Sequence, residues 1–189
     1  HLKKIFTARP GLKEKWMKAP KFKLNELISS ANQFSHYEIS DTNNPCDILL
    51  LGNELNSCMA LNRRIQCVKG LLAFAMDGKI HSIIIKNNEG KICAETQLYL
   101  MWDEINQKPV LYLGLIQAYA KKRAEELELD LVTCYDGAHF IQNAKNAKHK
   151  GKYPGNVKSL GSPFQIEYID VTHKSSKGIY TLPQTYHIF

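Results

Sequence analysis

Residues 80–116 read IHSIIIKNNEGKICAETQLYLMWDEINQKPVLYLGLI, and their pattern is the strongest indication of the fold. Three runs rich in Ile, Leu, Tyr and Val are separated by two segments of turn-forming residues, which is typical of a β-meander. The runs are Ile80–Lys86, Lys91–Trp102 and Val110–Ile116, and the turns are residues 87–90 and 103–108. We therefore predict three antiparallel strands joined by two hairpins. Tyr99 and Tyr112 are placed to meet across the second hairpin.

The chain after the meander alternates between helix and strand patterns. Gln117–Glu128 carries Ala120, Ala124 and Leu127 on one face and charged residues on the other, as in an amphipathic helix. Leu129–Cys134 has the composition of a strand, and a strand reached through one helix is expected to be parallel to its predecessor. The remaining predicted elements are a helix at Ala138–Ala147, a long basic loop at Lys148–Pro163, and a terminal hairpin of Phe164–Val171 and Gly178–Ile188.

The chain before the meander contains one predicted strand and several helices. Asp47–Leu51 is a short apolar run, which favours a buried strand, and two helices, Cys58–Ile65 and Val68–Met76, follow it. In the first 40 residues, the apolar spacing predicts two short helical pieces on either side of Pro20, with an apolar stripe that docks on a larger body. Asp41–Pro45 is rich in turn formers and marks the predicted boundary of that region.

Together these patterns predict an α+β fold with a central mixed, mainly antiparallel sheet. The core domain comprises residues 46–189, and a basic helical extension comprises residues 1–45. A chain of 189 residues can bury roughly 70% of the surface that it exposes when unfolded, so neither disulfides nor metals are required for stability. No run approaches the roughly 20 apolar residues of a membrane span. His1–Lys4 do not lead into the apolar region of a signal peptide.

The net charge of +7 is confined to one part of the chain. Residues 1–23 carry eight basic residues and one acidic residue, whereas the remaining 166 residues carry 17 of each. A surplus so localised does not favour a domain whose whole surface binds nucleic acid. The extension and a second basic segment, residues 145–158, are the predicted contacts for an acidic or protein partner.

Five cysteines are scattered along the chain without any Cys-x-x-Cys pair. Structural zinc sites need two ligands a few residues apart on a turn, so we predict no metal site. Cys93 and Cys134 fall inside predicted strands, and the number of cysteines is odd. Both features indicate reduced, buried thiols and a reducing compartment, which is the cytoplasm of a bacterium or of a host cell after secretion.

From Cys46 to Phe189 the predicted order is strand, two helices, three antiparallel strands, helix, strand, helix, strand, strand. This order resembles the GCN5-related N-acetyltransferase (GNAT) fold. The resemblance implies acyl transfer to a protein or small amine, with Tyr135 near the place of the general acid. It also implies acetyl-CoA as cofactor, with its pyrophosphate at Ile116, Gln117 and Ala118. The stretch Gly114–Lys122 lacks the glycine loop, Gln/Arg-x-x-Gly-x-Gly/Ala, that the family uses for this purpose.

Cys58 is the best candidate for a reactive group. The segment Leu50–Met59 is similar to a Gly-x-x-x-x-Ser-Cys sequence found in uncharacterised and effector proteins of intracellular bacteria. A thiol in the first turn of a helix is stabilised as thiolate by the helix dipole. Its base would be His81, His139 or His187, oriented by Asp170 or Asp136.

Three functional classes therefore follow from the sequence. The first is an acyltransferase, the second is a peptidase or transferase that uses Cys58, and the third is a non-catalytic protein-interaction module. The missing glycine loop weighs against the first, and the choice of base remains open for the second. Fold resemblance alone does not transfer an activity.

Overall fold

The computed structural model of the chain describes residues 2–27, 36–55, 60, 65–113, 117–134, 151–158 and 185–187. The helices are α1 (Leu2–Ala8), α2 (Leu12–Met17), α3 (Leu24–Leu27), α4 (Pro45–Glu54), α5 (Ile65–Met76) and α6 (Gln117–Leu127). The strands are β1 (Lys21–Lys23), β2 (Glu38–Thr42), β3 (Ile80–Lys86), β4 (Ile92–Asp103), β5 (Lys108–Leu113), β6 (Leu131–Cys134), β7 (Gly151–Lys152), β8 (Val157–Lys158) and β9 (Thr185–His187). Helices and a mixed sheet together make this an α+β fold.

The strands form one sheet in the order β1-β2-β3-β4-β5-β6-β9-β7, and β8 pairs with β4 beside this path. Among the described pairs, β5 and β6 are parallel and all others are antiparallel. The parallel pair is aligned at Leu111↔Leu131 and Tyr112↔Val132. Because α6 connects these two strands, the predicted crossover from the meander into a parallel strand is confirmed.

The predicted meander is also confirmed, with β3, β4 and β5 in sequence. Tyr99 pairs with Tyr112 across β4 and β5, and their ring centroids lie 5.6 Å apart. In the turn between β3 and β4, the side chain of Asn87 accepts hydrogen bonds from the backbone N–H groups of Glu89 and Lys91. Gly90 adopts a φ of 79° there, a conformation that glycine reaches without steric cost. Local turn chemistry therefore sets the first hairpin.

The sheet separates two apolar cores because successive strand residues point to opposite faces. Ile84 belongs to the core beneath α4 and α5, and its neighbour Ile83 belongs to the core beneath α6. We call these the α4/α5 core and the α6 core. α1 and α2 contribute Ile5, Leu12 and Trp16 to the α6 core, and all three side chains are buried.

Residues of the N-terminal extension belong to the same sheet and core as the residues that follow. β1 pairs with β2, and β2 pairs with β3 over five residues from Glu38 to Thr42. In the apolar stripe predicted on the first helical piece, Leu12 and Trp16 are buried and dock on the sheet, whereas Met17 is 54% exposed. The extension is therefore folded onto the sheet.

The predicted strand at Asp47–Leu51 is wrong, because these residues lie in α4. The side chain of Asn44 accepts a hydrogen bond from the N–H of Cys46, and Pro45 occupies the first turn, where proline is favoured. Ile48 and Leu51, three residues apart, are buried, which is helical spacing. The preceding Asp41 and Thr42, predicted to lie in a turn, are instead part of β2. A short apolar run fits either a strand or a helix, and here the cap decides.

Two further predictions need correction. The loop predicted at Lys148–Pro163 contains two strands, β7 and β8, which pair with β9 and β4. Each is two residues long, which is too short to show the alternation of apolar and polar residues that predicts a strand. Cys93, predicted to be buried, is exposed, because it is the extra residue where the β3–β4 register shifts between Ala94 and Ile92. The side chain of Cys134 lies outside the described residues. Within the described ranges, none of the helices has the length and apolar character needed to cross a membrane.

Candidate functional site

Of the five residues predicted to be catalytic, His81 is described. Cys58, Tyr135, His139 and Asp170 lie outside the described residues, as do Ile116, the predicted helix at Ala138–Ala147 and most of the terminal hairpin. Gln117 and Ala118 form the first turn of α6, and their backbone alone is described. Whether a histidine contacts Cys58 therefore stays a prediction.

His81 lies on β3, where its ring forms a buried pair with Asp41. The Nδ1 atom of His81 lies 2.5 Å from Oδ2 of Asp41, and the two side chains are 1% and 0% exposed. Asp41 is paired in register with Ile83, so it shares the face of the sheet on which His81 lies. A carboxylate in this position fixes the orientation of the imidazole.

Two side chains of α6, one helical turn apart, complete the surroundings of Asp41. The hydroxyl of Tyr119 contacts Oδ1 of Asp41 and accepts a hydrogen bond of 2.8 Å from the Asp41 N–H. Nε of Arg123 lies 3.2 Å from the same Oδ1. We refer to Asp41, His81, Tyr119 and Arg123 as the Asp41 cluster. It joins β2, β3 and α6 through one carboxylate.

The pKa values of the Asp41 cluster follow from this arrangement. Burial alone would raise the pKa of Asp41, but the hydrogen bond and charge of His81, the charge of Arg123 and the Tyr119 hydroxyl outweigh it and hold this pKa below its usual value. Burial and then the neighbouring carboxylate raise the pKa of Tyr119 above its usual range. Asp41 is therefore ionised and Tyr119 neutral at physiological pH.

The N-terminal extension closes the Asp41 cluster from solvent. The ring of Trp16 stacks on His81 with centroids 3.9 Å apart, and its Nε1 donates to the Gly78 carbonyl at 2.9 Å. Arg123 donates from Nη2 to the carbonyls of Lys15 and Trp16 at 2.9 and 2.8 Å. Nε2 of His81 is buried without a hydrogen-bond partner among the described residues. With the side chain of His81 only 1% exposed, this nitrogen is closed to a substrate in this structure.

A second titratable group, Glu95, lies on the opposite face of the sheet. It is half-buried on β4 and pairs in register with Ile84 of the α4/α5 core. Burial raises the pKa of Glu95 to about 7, although the amide of Gln97 donates to its Oε2 at 2.5 Å and opposes the shift. Ser82, fully buried and opposite Gln97, has an Oγ without a partner among the described residues. A carboxyl group that titrates near neutral pH is suited to accept a proton.

Glu95 lies close to the point where the sheet changes from antiparallel to parallel pairing. The final described pair of β4 and β5 is Leu98↔Leu113, at the carboxyl end of β5. Glu95 lies three residues before Leu98 on β4, and because the two strands are antiparallel, it lies beyond the carboxyl end of β5. The chain then enters α6 at Gln117 on its way to the parallel strand β6. Ligands of open sheets bind at the carboxyl ends of parallel strands, at such a change of order. We therefore take Glu95, with Gln97 and Ser82, as the candidate site.

Sequence reasoning missed Asp41, Tyr119, Arg123 and Glu95. For Glu95 the sequence contained a signal. Glu95 and Tyr99 are an even number of residues apart on β4, so their side chains lie on the same face of the sheet, and Tyr99 belongs to the α4/α5 core. For the Asp41 cluster no local signal exists, since its members come from three elements up to 82 residues apart in sequence. Among the described residues, no group of three or more His, Cys, Asp and Glu side chains is arranged to hold a metal ion.

Comparison with known proteins adds no relative. No protein-family model matches the chain, and neither a curated protein nor a solved structure matches it.

Proposed function

We propose that this protein transfers an acyl group from a thioester to an amine of a small molecule or a protein. The observation that carries the proposal is the half-buried carboxyl group of Glu95 beyond the carboxyl end of β5. The sheet that holds it has the described order β2, α4, α5, the antiparallel strands β3, β4 and β5, then α6 and the parallel strand β6. With β2 in place of the strand predicted at Asp47–Leu51, this order supports the resemblance to the GNAT fold. The parallel pair of β5 and β6 supports a ligand site at the carboxyl end of these strands.

In this proposal Glu95 is the general base. An amine acceptor is largely protonated near neutral pH and becomes a nucleophile only after losing its proton. Glu95, with a pKa of about 7, takes that proton as the amine nitrogen attacks the thioester carbonyl. A C–N bond forms, the C–S bond breaks, and the sulfur leaves as a thiolate that is then protonated. Gln97 holds the Glu95 carboxylate in place through its amide.

Acyl-CoA is the thioester that the resemblance implies, and when bound it would supply the activated acyl group. One structural observation fits it: the first turn of α6, which follows β5, carries no acidic side chain, so its backbone N–H groups face no competing carboxylate from that turn. Gln117 and Ala118 would supply these groups. The glycine loop is missing from the sequence before them, so this helix start alone would hold the pyrophosphate.

The test separates binding from transfer. Acetyl-CoA at 100 times its Kd should stabilise the protein by about 2.7 kcal/mol in a thermal unfolding assay. Glu95→Gln should keep this stabilisation but slow acetyl transfer to an amine by about 100-fold or more, the usual contribution of a general base. Glu89→Gln, an exposed change in the preceding turn, is the matched control and should leave transfer unchanged. The proposal fails if acetyl-CoA does not stabilise the wild type, or if both variants transfer at the wild-type rate.

A further inference from the structure

A cavity of about 390 Å³ lies where the N-terminal extension meets α6. This volume is within the range of small-molecule sites. Neither Glu95 nor the first turn of α6, which the proposed acyl transfer uses, lines the cavity, so this inference does not rest on that proposal. Its walls are formed by Lys15, Lys18, Ala19, Pro20, Arg123 and Glu126.

The charges around the cavity leave one cation uncompensated. Nζ of Lys15 forms an ion pair of 2.8 Å with Glu128, and Arg123 pairs with Asp41 and Glu126. Lys18 is exposed, and its side chain has no ion pair or hydrogen bond within the described part of the chain. An anionic group is therefore the complement that this cavity lacks.

Arg123 is a fixed anchor for such a group. Its side chain is 2% exposed, and its Nη2 is held by the carbonyls of Lys15 and Trp16. By contrast, Nη1 makes a longer bond of 3.3 Å to Glu126, whose side chain is 37% exposed. A guanidinium fixed on one side presents its other donors without further loss of conformational entropy. Nη1 is the donor that an incoming oxyanion can share with, or take from, Glu126.

We propose that this cavity binds a small organic anion. Its single oxyanion group, a carboxylate or a phosphoryl group, lies between Nζ of Lys18 and Nη1 of Arg123. Its apolar body lies against Ala19 and Pro20. Glu126 opposes binding, because it competes for Nη1 and repels the ligand.

The experiment is a titration followed by amide chemical shifts, with four probes: benzoate, phenyl phosphate, inorganic phosphate and uncharged benzyl alcohol. Benzoate or phenyl phosphate should shift the amides of residues 15–20 and 123–126, and whichever binds more tightly identifies the oxyanion. Inorganic phosphate should bind more weakly than phenyl phosphate because it lacks the apolar body. The proposal is overturned if benzyl alcohol binds as tightly as benzoate and phenyl phosphate do. It is also overturned if none of the four probes shifts these amides.

Three variants test the assigned roles. Lys18→Gln should weaken binding of the tighter probe about tenfold, the loss expected for one charge-assisted hydrogen bond. Glu126→Gln should tighten it several-fold, since the competing carboxylate is removed. Lys13→Gln, which removes an exposed cation of α2 that does not line the cavity, is the control and should leave the affinity unchanged. Equal weakening by Lys13→Gln and Lys18→Gln would mean general charge attraction and would contradict the proposal.

Discussion

Glu95 illustrates how one residue links stability to pH. Its pKa in the folded protein is about 7, above the ordinary value of 4.5, so the fold favours the protonated form. Between these two pH values unfolding releases a proton, and the stability of the fold falls as the pH rises. Above pH 7 the full cost of keeping a charged carboxylate half-buried is present. This cost is independent of whether Glu95 acts as a base.

We therefore predict that Glu95→Gln is more stable than the wild type at pH 8, by about 3 kcal/mol, from a pKa shift of this size at 1.36 kcal/mol per pKa unit. The difference should shrink as the pH falls and vanish below pH 4.5. Urea unfolding monitored by circular dichroism from pH 4 to 8 measures it. Glu89→Gln, exposed in the preceding turn, should follow the wild type throughout. A constant difference between Glu95→Gln and the wild type would show that Glu95 does not titrate near neutrality.

At the scale of elements, the parts of the fold set by local chemistry were predictable. The meander and α6 each carry their own period and their own turn residues, so neighbouring residues are sufficient to define them. The apolar run in α4 fits two structures, and the cap by Asn44 outside the run decides between them. β7 and β8 are two residues long and exist through their partners, so no sequence period describes them.

The candidate sites also differ in whether neighbouring residues or distant strands and helices determine them. Glu95 was predictable in principle from its parity on a strand that was itself predicted. The Asp41 cluster was not, because it requires β2, β3 and α6 to be placed in three dimensions before its side chains meet. Asp41 lies in a stretch, DTNNP, whose composition favours a turn, and its pairing with β3 overrides that preference.

The helix α2 depends on one side chain for its position. Trp16 is fully buried against His81 and donates to the carbonyl of Gly78, so it contacts both the Asp41 cluster and the turn that precedes β3. Trp16→Ala should destabilise the fold by about 3 to 5 kcal/mol through the cavity it leaves. Met17→Ala, at a neighbouring position that is 54% exposed, should cost less than about 0.5 kcal/mol.

Hydrogen exchange distinguishes this anchoring from a general loss of stability. In Trp16→Ala, amides of α1 and α2 should lose protection more than those of β3 and β4. If Trp16→Ala is too unstable to study, Trp16→Phe keeps a ring but removes the donor to Gly78 and should give the same pattern more weakly. Equal effects of Trp16→Ala and Met17→Ala would show that α2 is not anchored through Trp16.

At the scale of the whole molecule, the basic residues that give the chain its net charge of +7 lie in a segment that is folded onto the sheet. Eight of the basic residues lie in residues 1–23, and this segment also supplies β1 and three buried side chains of the α6 core. Deleting a tail that makes no contacts leaves the stability of the fold unchanged, whereas deleting a segment that covers a core destabilises the fold. Deleting residues 1–17 would expose His81 and Asp41, whose side chains are now at most 1% accessible, together with the apolar face beneath α1 and α2.

We expect the chain without residues 1–17 to lose cooperative thermal unfolding and to bind a hydrophobic dye, because the α6 core would be open on one side. The control removes charge but keeps the fold: Lys3→Gln, Lys13→Gln and Lys18→Gln combined take away three exposed cations that have no ion pair in the described part of the chain. Surface changes of this kind cost little, so its Tm should stay close to that of the wild type. If the truncated chain unfolds at the wild-type Tm, the basic segment does not stabilise the α6 core, and the prediction is wrong.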